Sequence, residues 1–394
     1  MSSFRIARVA TVPYFLVHNL GEQIPALVRA GHEVDVVSSG GSDWGDLASM
    51  EGVTAVTIEI PRKIAPFSDA RALFQLYLHF RRRRYEIVHS NTPKAGLLCA
   101  LAARAAGVPI RLHTFTGQPW VEMKGLLRWV ARTCDRIVVA LNTLCYADSP
   151  SQRAFLISEG IGGESSLRVL GAGSIAGVDV ARWERARTNH RTAATYAALG
   201  IPDGALVVVF VGRVTRDKGV VELLLAFKEL LARGSDSYLV IVGPLDEGTT
   251  DGELRAQLAA VAGNARIRLA GYDPEPERTL AIADLLCLPS YREGFGNVVI
   301  EAAVMGVPTV GTSIVGLRDS VQDGVTGILV PAKDSAALAG ALGRMLGDAA
   351  LRSTMGRAAR SRALELFDAG RVNALVLQEY ERLHALLERG HGRS

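Results

Sequence analysis

The sequence predicts an α/β protein made of two Rossmann-like, doubly wound parallel-sheet domains facing a central cleft. Three observations predict it. Apolar runs of strand length alternate with helical patterns along the whole chain. Its 394 residues exceed one ordinary core, so two domains are expected. Forty glycines, 48% apolar residues and 6% aromatics suit a chain full of strand–turn–helix junctions.

In the first half, strands are expected near 4–12, 33–38, 54–59, 86–90, 109–114 and 136–140, and helices near 19–30, 69–83, 95–106 and 121–133. The run Val34–Val37 reads as a strand buried on both faces. The passage GAGSIAGVD, residues 171–179, is dense in glycine and reads as the inter-domain linker. The second half repeats the alternation, with strands near 205–211, 238–242, 265–269, 284–288, 307–311 and 326–330. The domains are therefore drawn as 1–183 and 184–370, with the long amphipathic pattern 371–387 packing back on the first. Ligands belong beyond the carboxyl ends of the strands.

Four scattered cysteines, Cys99, Cys134, Cys145 and Cys287, form no CxxC and read as reduced, buried residues of a cytoplasmic protein. No run reaches the roughly 18 apolar residues of a membrane-spanning helix. Phe4–Val12 contains arginines and reads as a first strand, not a secretory signal. The net charge of +4 is uneven: residues 1–183 carry +5 and the rest −1. Arg81–Arg84 is the densest basic piece. It reads either as a solvated helix end or as a contact for anionic lipid at the inner face of the cytoplasmic membrane. No aromatic interleaving or binding motif points to nucleic acid.

Two constellations carry chemistry. In VVVFVGRVTRDKGV, residues 207–220, a strand ends, Gly212 turns the chain, and Arg213 and Lys218 follow as the next helix begins. A helix N-terminus with two converging cations suits a diphosphate. A surface junction with ordinary basic residues is the competing reading. In PSYREGFGNVVIEA, residues 289–302, Gly294-Phe295-Gly296 should precede a helix opening near Asn297. Glu301 then lies one turn past Asn297 and could accept paired ribose hydroxyls, while Glu293 precedes the turn. From spacing alone, a capping or surface role for Glu301 is an equal reading. No DxD, HExxH or Cys/His cluster implies a metal, and no cofactor is expected.

The pair GRVTRDKG and PSYREGFGNVVIEA, followed by EAAVMGVPTV, Gly316 and DGVTGILVP, resembles the retaining glycosyltransferases of the GT-B fold, family 4 (glycosyl transferases group 1). HSNTPKAG at 89–96 and GAGSIAGVD at 171–179 resemble its bacterial surface-polysaccharide branch. The resemblance implies roles residue by residue. Arg213 and Lys218 match the pair that neutralises the leaving diphosphate. Glu301 matches the carboxylate on the ribose, and Glu293 the one facing the donor sugar. The amides of Gly294, Phe295 and Gly296 would meet sugar and phosphate, with Gly212 and Asn297 completing the donor set. His113, in RLHTFTG, matches a histidine near the transferring sugar; from the residues alone, a structural histidine is the commoner case.

Lys94 could meet an acceptor phosphate or be a solvated lysine. Trp120 could stack on a sugar or sit in an interface. The family's glycine-rich turn after the first strand is replaced here by Val12-Pro13-Tyr14-Phe15-Leu16, with Tyr14 a candidate acceptor contact.

The resemblance implies a retaining transfer from a nucleotide sugar, by family habit a UDP-sugar carrying a hexose or N-acetylhexosamine. The expected acceptor is a polyprenyl-diphosphate-linked saccharide in capsule, O-antigen or exopolysaccharide synthesis. A soluble small-molecule acceptor and a non-catalytic sugar-nucleotide sensor are the alternatives. A nicotinamide oxidoreductase would need GxGxxG after its first strand, and that strand ends in Thr11-Val12-Pro13.

Overall fold

The structure is a computed structural model and describes residues 3–245 and 251–391. The chain forms two compact units. One comprises the residues up to Gly177 together with those from Ala369 onward; the other is Val178–Asp368.

The first unit is a seven-stranded sheet of order β3-β2-β1-β4-β5-β6-β7. Its strands are β1 (Arg5–Val9), β2 (Glu33–Ser38), β3 (Val53–Thr57), β4 (Ile87–Asn91), β5 (Ile110–Phe115), β6 (Leu144–Ala147) and β7 (Leu167–Arg168). All their pairings are parallel, and the strands between the edges are buried. Such strands need β-branched and aliphatic residues on both faces. Helices Pro66–Arg83 and Pro93–Ala106 cover one face with Ala72, Leu76, Phe80, Leu98 and Ala102. On the other, Leu16, Leu20, Ile24 and Leu27 pack with Val376, Tyr380 and Leu383 of the final helix, Ala369–His391.

The second unit is a six-stranded parallel sheet of order β10-β9-β8-β11-β12-β13. Its strands are β8 (Val207–Val211), β9 (Tyr238–Val242), β10 (Ile267–Gly271), β11 (Leu285–Leu288), β12 (Thr309–Thr312) and β13 (Gly327–Val330). In each sheet the earliest strand, β1 or β8, has a later strand on either side, which defines a switch point.

Three expectations are corrected. Residues 136–140, expected as a strand, continue the helix Gly125–Leu141, and the strand begins only at Leu144. Asp135 and Val138, three apart, are buried while Ile137 is exposed, which is helical periodicity. A five-residue apolar run is too short to reveal its period. Strand β7 was not expected at all. The domain boundary falls at 177/178, not 183/184. Asp179 caps the helix Val180–His190 by accepting from the Arg182 N–H at 3.0 Å, and buried Trp183 belongs to that helix. At the other end, Val178 bridges to Asp368 and its N–H donates to the Phe367 carbonyl at 2.8 Å, so the second crossing lies at 368/369, not 370/371.

Candidate functional site

In the second unit the site forms at the carboxyl ends of neighbouring strands β8 and β11, its switch point. Strand β8 is all valine and phenylalanine and leads into Gly212 and exposed Arg213. A single 3₁₀ turn, Arg216–Lys218, follows, and Gly219 starts the helix Val220–Ala232 at φ 71°. A Cβ on Gly219 would stand 2.0 Å from the Pro289 carbonyl oxygen, so only glycine admits this approach of the two loops.

Four contacts then join the loops. The Tyr291 N–H donates to the Asp217 carbonyl at 2.9 Å. Arg292 pairs with the Asp217 carboxylate at 3.0 Å. The Tyr291 hydroxyl donates to Glu222 at 2.7 Å. Lys218 Nζ meets Glu293 Oε1 at 2.6 Å, and the Ser290 hydroxyl donates to the same oxygen at 2.7 Å. Burial by itself would raise the Asp217 carboxyl, but the Thr215 hydroxyl and the charges of Arg292, Arg213 and Lys218 hold it below the usual carboxylate range. Three cations therefore converge on one short turn.

The loop continues through Gly294 and Phe295 to Gly296 at φ 84°, which starts the helix Asn297–Val304 without a side-chain cap. Phe295 is buried edge-on against Phe367, at 5.1 Å between ring centres, and anchors the turn from below. Gly316 fixes it from the side, since a Cβ there would lie 2.6 Å from the Gly294 carbonyl oxygen. This helix end, without a side-chain cap, carries partial positive charge a few residues past Glu293, which Lys218 meets, an arrangement suited to a diphosphate. Glu301, on the same helix, is partly buried. Burial pushes its carboxyl up to about 7; nearby Arg182 opposes the rise and Glu277 adds to it. Arg182 and Glu277 form an ion pair at 2.7 Å that the sequence reading did not single out. Nor did it single out Ser290, Tyr291, Arg292, Asp217 or Glu222. The only signal for them was proximity to the two glycine turns.

In the first unit, the switch point lies at β1 and β4. The Thr92 hydroxyl, from a residue at φ 68°, accepts from the Thr11 N–H at 3.1 Å and joins the two strand ends. Val12–Leu16 opens a short helical turn instead of a glycine loop, leading into a π turn at Phe15–Asn19. Tyr14 is 47% exposed and packs on the His18 ring. Lys94 Nζ pairs with Asp69 at 2.7 Å and also donates to the Lys63 carbonyl. His113 lies within β5, two residues before its end, and is 1% exposed. Its Nδ1 meets the Ser90 hydroxyl at 3.0 Å, and burial drives its pKa down to about 3, so the ring is neutral. The helix Pro93–Ala106 passes over this ring at Gly96, where a Cβ would lie 2.4 Å from it. Trp120 is buried, stacks on Phe155 and donates to Asp135 at 2.6 Å; it is a core residue, not a stacking platform for sugar. Of the basic run, Arg83 is paired with buried Asp35 at 2.8 Å, while Arg81, Arg82 and Arg84 are exposed.

Two such sheets, each with a loop cluster at its switch point, define the GT-B class of α/β proteins. Residues 18–173 match the model of the glycosyl transferase 4-like domain, and residues 193–362 that of the glycosyl transferases group 1. The capsular polysaccharide biosynthesis glycosyltransferase CapM of Staphylococcus aureus is 30% identical over 362 residues, 92% of each chain. A D-inositol 3-phosphate glycosyltransferase of Streptomyces avermitilis is 31% identical over 77% of this chain and 67% of its own. Among solved structures, sucrose-phosphate synthase of Thermosynechococcus elongatus superposes with a TM-score of 0.82 at 22% identity, over 97% of this chain and 100% of its own. HepE of Anabaena, in complex with UDP and glucose, superposes with a TM-score of 0.78 at 20% identity, over 96% of this chain and 99% of its own. The chain belongs to family 4 of the GT-B glycosyltransferases, the glycosyl transferases group 1.

Proposed function

We propose that this glycosyltransferase moves a hexose or N-acetylhexosamine from a UDP-sugar to a lipid-linked saccharide, with retention, in the synthesis of a cell-surface polysaccharide. The observation that carries the donor half is the meeting of Lys218, Glu293 and the uncapped Gly296 helix end at one switch point. The diphosphate sits against Arg213, Lys218 and the amides of Gly294–Gly296, which stabilise the charge of the leaving group electrostatically. Glu301 takes the ribose and Glu293 the hydroxyls of the donor sugar. The resting Lys218–Glu293 pair parts as the ligand enters, the lysine turning to phosphate and the carboxylate to sugar. Reaction proceeds on the front face of the sugar, with the leaving phosphate taking the acceptor proton and Glu293 positioning the donor. His113, neutral and held by Ser90, lies under the first unit's loops as a positioning group, and Tyr14 offers the exposed acceptor contact there. No metal is required in this reading. Similarity to CapM supports the polysaccharide acceptor, and the HepE complex supports UDP.

The D-inositol 3-phosphate relatives favour a second reading, a soluble phosphorylated acceptor. Release of nucleoside diphosphate from a panel of nucleotide sugars, with and without bacterial lipid-linked saccharide extract, separates the two. Release from one UDP-sugar that rises sharply with extract supports the lipid acceptor. Release indifferent to extract moves the acceptor to solution, and donor binding without release from any sugar removes the transferase reading. Near-full turnover in Glu293→Gln would remove the positioning role of Glu293.

A further inference from the structure

Seventeen large hydrophobic side chains are exposed among the described residues, and eleven of them lie between Ile64 and Ile137 in the first unit. Eight of these fall on three adjacent helices. Helix Pro93–Ala106 packs between helices Pro66–Arg83 and Gly125–Leu141. The outward stripe of Gly125–Leu141 carries Leu126, Trp129, Val130 and Ile137, at helical spacing. Leu126 is 74% and Trp129 61% exposed. On the outer neighbour, Phe67 is 94% and Phe74 60% exposed, seven residues apart on one face. Isolated exposed apolar residues are ordinary, but a whole exposed stripe on one helix, with further exposed phenylalanines on the same layer of helices, marks an interaction surface.

Charge selects the occupant. Residues 61–141 hold 14 Lys+Arg and 4 Asp+Glu, a net of +10 in a chain whose total is +4. Arg71, Arg81, Arg82, Lys124 and Arg136 are exposed on these helices. A second copy docking face to face would bring two such fields together, which opposes association. A bilayer of anionic lipid is complementary on both counts. Headgroups meet the cations, and the interfacial zone takes a tryptophan flanked by leucine and phenylalanine. Among the described residues no helix is long and apolar enough to cross a membrane, so contact of this kind is peripheral.

We propose that the outer faces of helices Pro66–Arg83, Pro93–Ala106 and Gly125–Leu141 form a docking surface for an anionic phospholipid bilayer, with Trp129 and its neighbouring leucines entering the interface. This names the membrane surface for the lipid-linked acceptor proposed above and rests on that reading for its purpose, though not for its test.

The test uses vesicles that contain no glycan. Full-length protein is sedimented with phosphatidylglycerol–phosphatidylethanolamine vesicles and with phosphatidylcholine vesicles. Binding to the first, weak binding to the second, and loss at high salt are expected. The double variant Leu126→Ser, Trp129→Ser should bind at least 10-fold more weakly while keeping its melting transition and its donor turnover in solution. Trp129 is the one exposed tryptophan of four, so vesicles should blue-shift the intrinsic fluorescence, and Trp129→Phe should abolish the shift while retaining sedimentation. Equal binding to both vesicle types, or to neither, overturns the proposal. So does a dimer in solution that the double variant dissociates, which would give the surface to a second copy. Vesicle binding by an enzyme that uses only soluble acceptors would keep the surface and discard the lipid-linked reading. Turnover of lipid-linked acceptor without vesicle binding would do the reverse.

Discussion

Lys218 and Glu293 neutralise one another at 2.6 Å, so neither charge is left unpaired. Replacing Lys218 by alanine removes a cation from the leaving diphosphate and leaves Glu293 with Ser290 alone. We expect kcat/KM for the donor to fall about 100-fold or more, with partial recovery in Lys218→Arg; steady-state release of nucleoside diphosphate measures it. Glu301 supplies a pH signature. Its carboxyl titrates near 7 in the free protein, and the ionised form accepts both ribose hydroxyls. Donor KM should therefore rise as pH falls from 8 to 6, and Glu301→Gln should flatten that rise while raising KM throughout. The glutamates, the arginine and the glycines were singled out by their resemblance to the family's motifs, since spacing alone left Glu301 an equal reading as a surface or capping residue. Lys94 shows the limit: its sequence context opens a helix near a switch point, but its partner Asp69 lies on another helix that no local pattern connects to it. Arg8 shows the same limit from inside the core. It is fully buried, donating to Tyr380 at 2.8 Å and Asn91 at 3.2 Å, partners 372 and 83 residues away.

Strands of β-branched residues were readable because a parallel sheet buried on both faces needs continuous apolar runs. The failure at 136–140 came from an inverted amphipathic helix: its apolar stripe is exposed and polar Asp135 is buried, so the short apolar run at its end read as a separate buried strand. Two elements can be tested by single changes. Gly219→Ala combines a left-handed φ with a clash against the Pro289 carbonyl, and should destabilise the second unit by about 3 kcal/mol or more, measured by denaturant unfolding. Tyr380→Phe removes the hydroxyl that Arg8 and His89 share and leaves a buried guanidinium short of a partner. It should cost about 1–3 kcal/mol, and hydrogen exchange in the final helix should quicken before exchange in the second unit does.

The two units respond to mild acid in opposite directions. His32, His79, His89 and His113 of the first unit all lie below the ordinary histidine value of 6.5, burial being the chief cause. As pH falls through 6.5 the unfolded chain takes up protons that the folded unit refuses, so stability is lost. Asp135, raised by burial to about 6 against the opposing Trp120 hydrogen bond, offsets part of that loss. In the second unit Glu301 gains its proton near 7 when folded and near 4.5 when unfolded, so stability rises over that interval as pH falls. Hydrogen exchange at pH 7 and 5.5, corrected for intrinsic rates, should show the first unit opening more readily and the second less. His113→Phe should reduce the first effect.

The crossings at 177/178 and 368/369 give the molecule a birth order. The ribosome delivers the segment ending at Gly177, then the whole second unit, and only then the helix bearing Val376 and Tyr380. Throughout that interval Leu16, Leu20 and Ile24 lack their cover and Arg8 lacks a hydroxyl partner. Until that helix emerges, the nascent first unit exposes apolar surface of the kind that chaperones bind. A nonsense codon just after 370 would spare each loop of the donor site and still yield a chain that cannot finish folding.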